Sequence, residues 1–286
     1  MQVDGKEIII NGRFSRIARL KAEYYESVSE PHSFVSSLVA ADPRADIFTF
    51  VQQIGERTPR YHFHLEWDSI AVLSIASYDN WWSRQISDKT RNMVRRAQKC
   101  GVEVRLVEFG DDLVRGIKDI YDESPLRQGK PFKHYGKDLA TLKADHITFL
   151  DRSQFLGAYF EEELIGFIKL VHDGEVSHLM HIISKIGRRQ RAPNNSLIAK
   201  AVELCAGRGV SYLHYADWST RGLGDFKRHH AFEQLEVPRY FVPINLRGKI
   251  MLSLHFHHKA SDLLPPSLIN TFIDFRSKWN SLKYKS

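Results

Sequence analysis

The sequence has little cysteine and no long apolar run. Cys100 and Cys205 are its only cysteines, and both fall on the apolar sides of predicted helices, which favours packed free thiols in a reducing compartment over a disulfide. No apolar stretch approaches the roughly 18 residues of a membrane-spanning helix. The first residues lack the basic and apolar segments of a secretory signal. A soluble, cytoplasmic protein without a membrane span is therefore expected.

Acidic residues are fewer than basic residues. Lysine and arginine total 41 against 34 for aspartate and glutamate, which gives a formal net charge of +7 and a pI near 9.3. This balance favours an anionic partner, such as a phosphate-bearing donor, an RNA, a nucleotide sugar or an acidic lipid surface. Improved solubility without such a partner is the alternative.

Residues 154–243 contain the clearest pattern of secondary structure. Apolar and aromatic runs at 155–160, 164–171 and 176–183 are separated by short turns. Runs of this length and composition predict three strands of an antiparallel meander.

A basic loop at 185–191 follows the meander and leads into a predicted helix at 195–208. The apolar stripe of that helix is Leu197, Ile198, Ala201, Val202 and Cys205. A strand at 210–215, a short polar helix at 224–230 and a strand at 234–244 complete the region. This order predicts an α+β fold, with a mixed, mostly antiparallel sheet flanked by helices.

Three segments resemble the FemAB-like branch of the GNAT superfamily. They are Arg127-Gln128-Gly129 after a helix, Ala-Pro-Asn-Asn-Ser-Leu-Ile at 192–198 and Gly-Leu-Gly-Asp-Phe-Lys-Arg at 222–228. The resemblance covers roughly residues 80–245. It implies a GNAT-like (acyl-CoA N-acyltransferase) fold and an N-acyltransferase that moves an acyl or aminoacyl group from an activated donor to an amine acceptor. A non-catalytic binding protein of the same fold, for a phosphate-bearing ligand or RNA, is the alternative.

The resemblance implies no permanently bound cofactor, with acyl-CoA or aminoacyl-tRNA as co-substrate. Acetyl-CoA-binding GNATs carry a glycine-rich loop, Arg/Gln-x-x-Gly-x-Gly/Ala, at the helix start. Residues 189–194 of this chain contain no glycine, so a weaker affinity for coenzyme A is expected, and tRNA stays open as a partner. The predicted donor-binding residues are Arg188, Arg189, Arg191, Asn194, Asn195, Ile182 and Ile183, and a solvated charge run is the alternative for the arginines.

Three side chains are predicted to take part in catalysis. In GNATs a backbone amide at a bulge in the fourth strand binds the oxyanion, and the counterpart here is 179–184. His181 lies near that bulge, whereas strand alternation places His178 on the opposite face. Asp217 follows the fifth predicted strand. Lys227 matches a basic residue of FemAB-like transferases, and its ammonium is expected to reach the cleft on a flexible stem. A packed strand histidine, a turn cap and a surface lysine are the respective alternatives.

The acceptor is expected against the loop after the predicted helix at 111–123. Its polar and aromatic side chains suit a ligand better than a core, although a long surface loop has a similar composition. The predicted acceptor-binding residues are Arg127, Gln128, Lys130, His134, Tyr135 and, from the 222–228 segment, Phe226.

Outside this region three predictions concern organisation. Residues 1–100 are expected to form a reduced N-terminal GNAT-like subdomain and a basic linking helix, 101–250 the catalytic domain, and 251–286 a helical tail. Strands are predicted at 8–10, 48–52, 62–67 and 70–75, and short helices at 21–28 and 33–39. A monomer or homodimer is expected.

Two further groups of residues have weaker functional signals. Arg91, Arg95 and Lys99 share one face of the predicted helix at 89–99, which suits nonspecific RNA contact or a solvated face. Histidines cluster at 62/64, 229/230 and 255/257/258. No cysteine or carboxylate stands at zinc spacing beside them, so no metal site is predicted.

Overall fold

The computed structural model describes residues 1–41, 44–56, 58–220 and 222–258. The strands are β1 Gln2–Val3, β2 Lys6–Asn11, β3 Ile17–Leu20, β4 Ile47–Val51, β5 His64–Ser74, β6 Glu103–Val107, β7 Leu126–Arg127, β8 Lys130–Pro131, β9 Ser153–Phe160, β10 Glu163–Asp173, β11 Val176–Ser184, β12 Tyr212–Asp217 and β13 Glu233–Pro243. The α-helices are α1 Pro31–Ala40, α2 Tyr78–Asn80, α3 Asp88–Lys99, α4 Asp111–Tyr121, α5 Leu139–His146, α6 Pro193–Gly207, α7 Gly222–His229 and α8 Leu246–Ser253. A π-helical turn spans Trp81–Gln85, and 3-10 turns span Leu150–Arg152 and Ile186–Arg191.

The chain forms two compact units. The first contains residues 1–70 and the described residues from 235 to 258, and the second contains residues 71–234. The chain passes from one unit to the other within β5 and again within β13. The predicted domain limits at residues 100 and 250 stay a prediction.

The second unit is built on the predicted meander. β9, β10 and β11 pair antiparallel in sequence order, with β6 antiparallel to β9 and β12 parallel to β11. The three predicted strand runs are confirmed, because each one lies within an observed strand. The short polar helix and the two later strands of this region are confirmed as α7, β12 and β13.

Helix α6 packs against this sheet through the predicted stripe. Leu197, Ile198, Ala201, Val202 and Cys205 are all fully buried in one core cluster with residues of β9 and β10. A second core lies on the other face of the sheet, where Leu113, Ile117 and Tyr121 of α4 pack against β9 and β10. The burial of these apolar side chains is the main contribution to the stability of the fold.

The first unit has its own aromatic core. β2 pairs antiparallel with β1 and β3, β3 runs parallel to β4, and β4 pairs antiparallel with β13. Phe48 and Phe50 of β4 lie beside Tyr240 of β13 in this core. Both units thus join an antiparallel run to one parallel pair, but the reduced GNAT-like half stays a prediction.

Two predictions about the first unit are wrong. The residues at 62–67 and 70–75 do not form two strands, because β5 runs unbroken through Trp67 and Asp68. The Asp68 carboxylate accepts a hydrogen bond of 2.8 Å from Arg239, and the polar pair that suggested a turn is thereby held within the strand. The predicted helix at 21–28 is absent, since that segment forms turns. Helix 33–39 is confirmed as α1.

The last predicted elements fall partly beyond the described chain. The tail helix predicted after residue 258 lies outside the described residues.

Within residues 1–258, apart from the four positions left out, no helix has both the length and the apolar character that crossing a bilayer requires.

Candidate active site

Strands β11 and β12 stop pairing at a pair of histidines. Their parallel register runs from Val176 opposite Tyr212 to His178 opposite His214. β11 then continues to Ser184 and β12 to Asp217. We call this point the fork. Nδ1 of His178 lies 3.0 Å from Nδ1 of His214, and both side chains are buried.

A bulge in β11 follows directly after the fork. Leu179 pairs with Leu170 and His181 with Lys169, which leaves Met180 without a partner position on β10. The predicted irregularity at 179–184 is therefore present. It also corrects the expected alternation, since the extra residue returns His181 to the face that His178 occupies.

His181 belongs to a group of aromatic and imidazole rings on that face, which we call the histidine cluster. Its ring centroid lies 4.6 Å from that of His146 and 6.4 Å from that of His134. The Tyr121 hydroxyl lies 3.2 Å from Nε2 of His146. Burial lowers the pKa of His134 and of His146 to about 4 and that of His181 well below its ordinary value. These imidazoles are therefore neutral at pH 7.

Two nitrogens of the histidine cluster are unpaired. Nδ1 of His134 and Nδ1 of His146 are buried and have no hydrogen-bond partner among the described residues. Nδ1 of His134 lies 4.0 Å from a carboxylate oxygen of Asp145, which is too far for a hydrogen bond. A buried nitrogen without a partner costs free energy unless a ligand or water supplies one.

Lys169 supports the histidine cluster from within β10. Its side chain is fully buried, and its ammonium donates hydrogen bonds to the carbonyl oxygens of His146 and Thr148 and, at 3.2 Å, to the Thr148 hydroxyl. Burial lowers the pKa of Lys169 to about 8. The sequence reasoning missed this residue, although a lysine inside the apolar run of β10 is a signal that could have identified it.

Lys227 holds the end of β12. Its Nζ donates hydrogen bonds of 2.7 Å to the carbonyl oxygen of Tyr215 and 2.6 Å to that of Asp217, and lies 4.5 Å from the Tyr215 ring centroid. The residue is 1% exposed and its ammonium is held by these two carbonyls, so its stem is fixed rather than flexible. Burial lowers the pKa of Lys227 to about 8, although the Asp217 charge raises it in part.

Gly224 fixes the approach of α7 to the loop before it. A Cβ at this position would lie 1.8 Å from the Ser219 carbonyl oxygen, and so only glycine fits there. On the same helix Phe226 is half-buried, with its ring centroid 4.2 Å from that of His230. The positions of the α7 side chains therefore depend on the close contact between Gly224 and the Ser219 carbonyl.

The predicted catalytic residues lie in two groups. Asp217 is exposed and meets Lys227 through its carbonyl oxygen. His181 meets the predicted acceptor residue His134 instead. Among the described residues no hydrogen bond or ring contact joins His181 to Lys227.

Similar solved structures exist at low sequence identity. FemX aligns over 86% of this chain and 86% of its own, with a TM-score of 0.60 and 9% identity. L-PGS from Bacillus licheniformis aligns over 87% and 85%, with a TM-score of 0.56 and 13% identity. The C-terminal domain of a protein named as a lysylphosphatidylglycerol synthetase from Agrobacterium fabrum aligns over 86% and 83%, with a TM-score of 0.54 and 12% identity. No protein-family model and no curated protein matches the sequence.

The chain shares the fold of FemX and L-PGS. At these identities the likeness establishes the fold alone. The predicted residues are therefore assessed below by their own contacts.

Two glutamates from other elements bind the basic loop at 185–191 before α6. The Glu123 carboxylate accepts hydrogen bonds from the backbone N–H groups of Ile186 and, at 2.7 Å, Gly187. Glu163 accepts hydrogen bonds of 2.6 Å from Lys185 and 2.7 Å from Arg188, and these bonds lower its pKa. Part of the expected anion site is therefore already satisfied by carboxylates.

The other predicted donor-binding residues differ in exposure. Arg191 is half-buried, because it donates a 2.7 Å hydrogen bond to the Cys100 carbonyl and its guanidinium lies 3.4 Å from the Phe160 ring centroid. Arg189 is exposed, as expected. Nδ2 of Asn195 lies 3.2 Å from Nε2 of His230, and Oδ1 of Asn194 is buried without a hydrogen-bond partner among the described residues.

Ile182 and Ile183 lie on opposite faces of β11. Ile182 packs with the α6 core, whereas Ile183 packs with the α4 core. Successive strand residues alternate in this way, so the two side chains cannot contact the same part of a donor.

The predicted acceptor residues are also dispersed. Arg127 donates hydrogen bonds of 2.8 Å to the Ser184 carbonyl and 2.5 Å to the Ile120 carbonyl, which joins the end of α4 to β11. Gln128 and Lys130 are exposed on the β7–β8 hairpin, and Tyr135 is 47% exposed. His134 is the acceptor residue that the structure brings to the histidine cluster.

The basic face of α3 is engaged only at Arg91. Arg91 donates hydrogen bonds of 2.7 Å to the carbonyls of Trp82 and Ile86 and pairs with Asp88, and these contacts cap the preceding turn. Arg95 and Lys99 are exposed, with the Arg95 guanidinium 5.6 Å from the Trp82 ring centroid. Nonspecific RNA contact and a solvated face both stay open for this helix.

Proposed function

We propose that this chain is an acyltransferase that moves an acyl or aminoacyl group from an activated donor to an amine acceptor at the fork between β11 and β12. One observation carries the proposal. His181 lies three positions beyond His178, and Asp217 lies three positions beyond His214, so both follow the last paired residues of their strands. The two strand segments that diverge there bear two of the three predicted catalytic residues.

The bulge at Met180 supports an oxyanion site at the fork. Met180 has no partner position on β10, which leaves its backbone outside the regular ladder. A backbone N–H that is fixed but not committed to a ladder suits the negative oxygen of a tetrahedral intermediate. The acceptor nitrogen attacks the donor carbonyl carbon, the new C–N bond forms, the bond to the leaving group breaks, and the leaving group takes the proton that the amine releases.

Lys227 supplies positive charge at the end of β12. With a pKa of about 8, its amine is mostly protonated at pH 7 and offsets negative charge that develops on the donor or intermediate. Because its hydrogen bonds go to the carbonyls of Tyr215 and Asp217, Lys227 also positions the strand end.

The histidine cluster suits acceptor binding better than proton removal. An imidazole with a pKa near 4 is a weak base at pH 7. In the tautomer that carries its proton on Nε2, the unpaired Nδ1 atoms of His134 and His146 accept hydrogen bonds and fit an ammonium or amine group. We therefore assign His181 a positioning role beside them rather than the proton transfer that the sequence suggests.

Of the two candidate donors, we favour an aminoacyl-tRNA over an acyl-CoA. The backbone N–H groups of Ile186 and Gly187 already bind Glu123, which weakens the case for a pyrophosphate there. One similar structure is named as a lysylphosphatidylglycerol synthetase, so lysyl donors and phosphatidylglycerol belong among the substrates to be tried. The exposed Arg189 is the remaining candidate for a donor phosphate.

The test is a transfer assay with this chain and a panel of aminoacyl-tRNAs and acyl-CoAs. Amines serve as acceptors, phosphatidylglycerol vesicles test a hydroxyl acceptor in place of the proposed amine, and mass spectrometry identifies products. Lys227→Met should lower kcat by about 10²-fold or more, as the loss of one oxyanion donor does. Arg228→Met is the matched control, because Arg228 is the next residue of the same helix and is exposed. Saturable donor binding by the wild type, without product from any pair, would favour the non-catalytic alternative.

A further inference from the structure

A second group of polar side chains lies in the first unit, far along the chain from the proposed reaction centre. Glu66 of β5 meets His257 and His258, which follow α8. Oε1 of Glu66 lies 2.6 Å from Nε2 of His257, 3.2 Å from Nε2 of His258 and 3.4 Å from Nε2 of His64. Glu66 and His257 are 191 positions apart, which is why spacing along the sequence did not reveal the carboxylate.

The group is more than an ordinary hydrogen-bonded cluster. One carboxylate oxygen has two lone pairs, yet three imidazole nitrogens approach Oε1 of Glu66. The His257 side chain is fully buried, and its Nδ1 has no hydrogen-bond partner among the described residues. Three imidazole nitrogens thus compete for the two lone pairs of one oxygen, and a cation bound between these groups removes that competition.

The geometry fits a tetrahedral metal ion. The candidate ligand atoms of His64, Glu66 and His257 all lie within 4.8 Å of one another. Zinc binds nitrogen and carboxylate oxygen at about 2.0–2.2 Å, so neighbouring ligands of a tetrahedral ion lie about 3.4 Å apart. The distances from Oε1 of Glu66 to Nε2 of His64 and of His258, 3.4 Å and 3.2 Å, are close to this value, whereas the 2.6 Å to Nε2 of His257 is that of a hydrogen bond and must lengthen when a metal binds.

The surroundings favour an ordered site. His64 and Glu66 stand two positions apart on β5 and therefore project from the same face. The Phe241 ring centroid lies 4.7 Å from that of His257 and 6.1 Å from that of His64, which forms an apolar wall beside the ligands. An apolar wall limits water access and strengthens metal coordination.

We propose that His64, Glu66, His257 and His258 form a zinc-binding site that fastens the segment after α8 to β5. Three imidazoles and one carboxylate are a donor set that zinc accepts. All four positions are supplied by protein, so the site is structural. It does not depend on the proposed transferase activity.

Zinc binding is measured on the tag-free chain after chelation and dialysis, by calorimetric titration with zinc chloride. One equivalent should bind. Glu66→Gln and His257→Gln should each weaken binding by about 10²-fold or more, since each removes a direct ligand. His62→Gln is the matched control, because His62 is exposed just before β5, and it should bind zinc as the wild type does.

Folding is controlled by circular dichroism and thermal melting in chelator, where the wild type and Glu66→Gln should both be folded. Zinc should then raise the Tm of the wild type and of His62→Gln but not that of Glu66→Gln. Equal zinc affinity in the wild type and Glu66→Gln would overturn the site. No saturable binding by the wild type would overturn it as well, as would binding that depends on His255 and His258 but not on Glu66.

Discussion

Nδ1 of His178 and Nδ1 of His214 share one hydrogen bond at the last paired position between β11 and β12. One imidazole must donate and the other must accept, so the pair holds only if the accepting nitrogen is unprotonated. Burial lowers the pKa of His178 to about 3 and that of His214 well below its ordinary value. The fork is therefore stable with two neutral histidines.

Stability is expected to fall as pH falls from about 7 to 4. The folded-state pKa is lowered to about 4 for His134, His146, His172 and His230 and to about 3 for His178. The unfolded chain binds more protons than the folded chain between these values and about 6.5, so each histidine costs up to about 1.4 kcal/mol per pH unit there. Urea unfolding at pH 7, 6 and 5 measures the slope. His178→Asn should reduce it, the exposed His62→Gln should not, and equal stability at pH 7 and 5 would contradict the prediction.

Lys169 produces a second pH dependence on the alkaline side. Because burial lowers its pKa to about 8, the unfolded chain carries the extra proton between about pH 8 and 10, and the contribution of this group to stability rises with pH in that window. Lys169→Met should lower the unfolding free energy at pH 7 by about 1–3 kcal/mol, because the carbonyls of His146 and Thr148 lose their donor. Lys99→Met, at an exposed position, is the control in the same urea titrations. An unchanged stability in Lys169→Met would show that its hydrogen bonds contribute nothing.

Two arginines of the loop before α6 should respond differently to charge reversal. Arg191→Glu removes a hydrogen bond to Cys100 and a cation–π contact with Phe160, so it should lower the Tm. Arg189→Glu changes an exposed side chain and should leave the Tm within about 2 °C, in line with a surface effect of under 0.5 kcal/mol. If Arg189 contacts the donor phosphate, the same variant weakens donor binding in calorimetry. Identical melting of the two variants would show that the Arg191 contacts do not stabilise the fold.

The meander and α6 could be predicted from the sequence because their side chains carry the signal. Apolar runs and a regular stripe such as Leu197, Ile198 and Ala201 follow directly from burial of one face. The continuous β5 could not be predicted in the same way. Trp67 and Asp68 are typical of a turn, but side chains far along the chain, Tyr24 and Arg239, donate hydrogen bonds to the Asp68 carboxylate within β5.

The candidate site was less predictable for related reasons. A bulge has no side-chain signature, so the common face of His178 and His181 could not be inferred from alternation. Lys227 and Arg191 are residue types usually found at the surface, but backbone carbonyls of other elements bind both of them. Contacts of this kind depend on tertiary structure, which local patterns do not report.

Glu123 offers the last test, because it fills a place where an anion is expected. Its carboxylate binds the N–H groups of Ile186 and Gly187, beside the side chains of Arg127 and Lys185. Glu123→Ala removes one negative charge and frees two backbone donors at the start of a basic loop. Affinity for coenzyme A should then rise by about 10-fold, while the unfolding free energy falls by about 1–3 kcal/mol.

Calorimetric titration with coenzyme A and urea unfolding measure the two effects. Glu162→Ala is the matched control, because Glu162 is exposed and pairs with Arg105 rather than with the loop. Its coenzyme A affinity should equal that of the wild type. If Glu123→Ala loses stability but gains no affinity, the freed N–H groups do not form an anion site, and donor binding must depend on Arg189 and the fork instead.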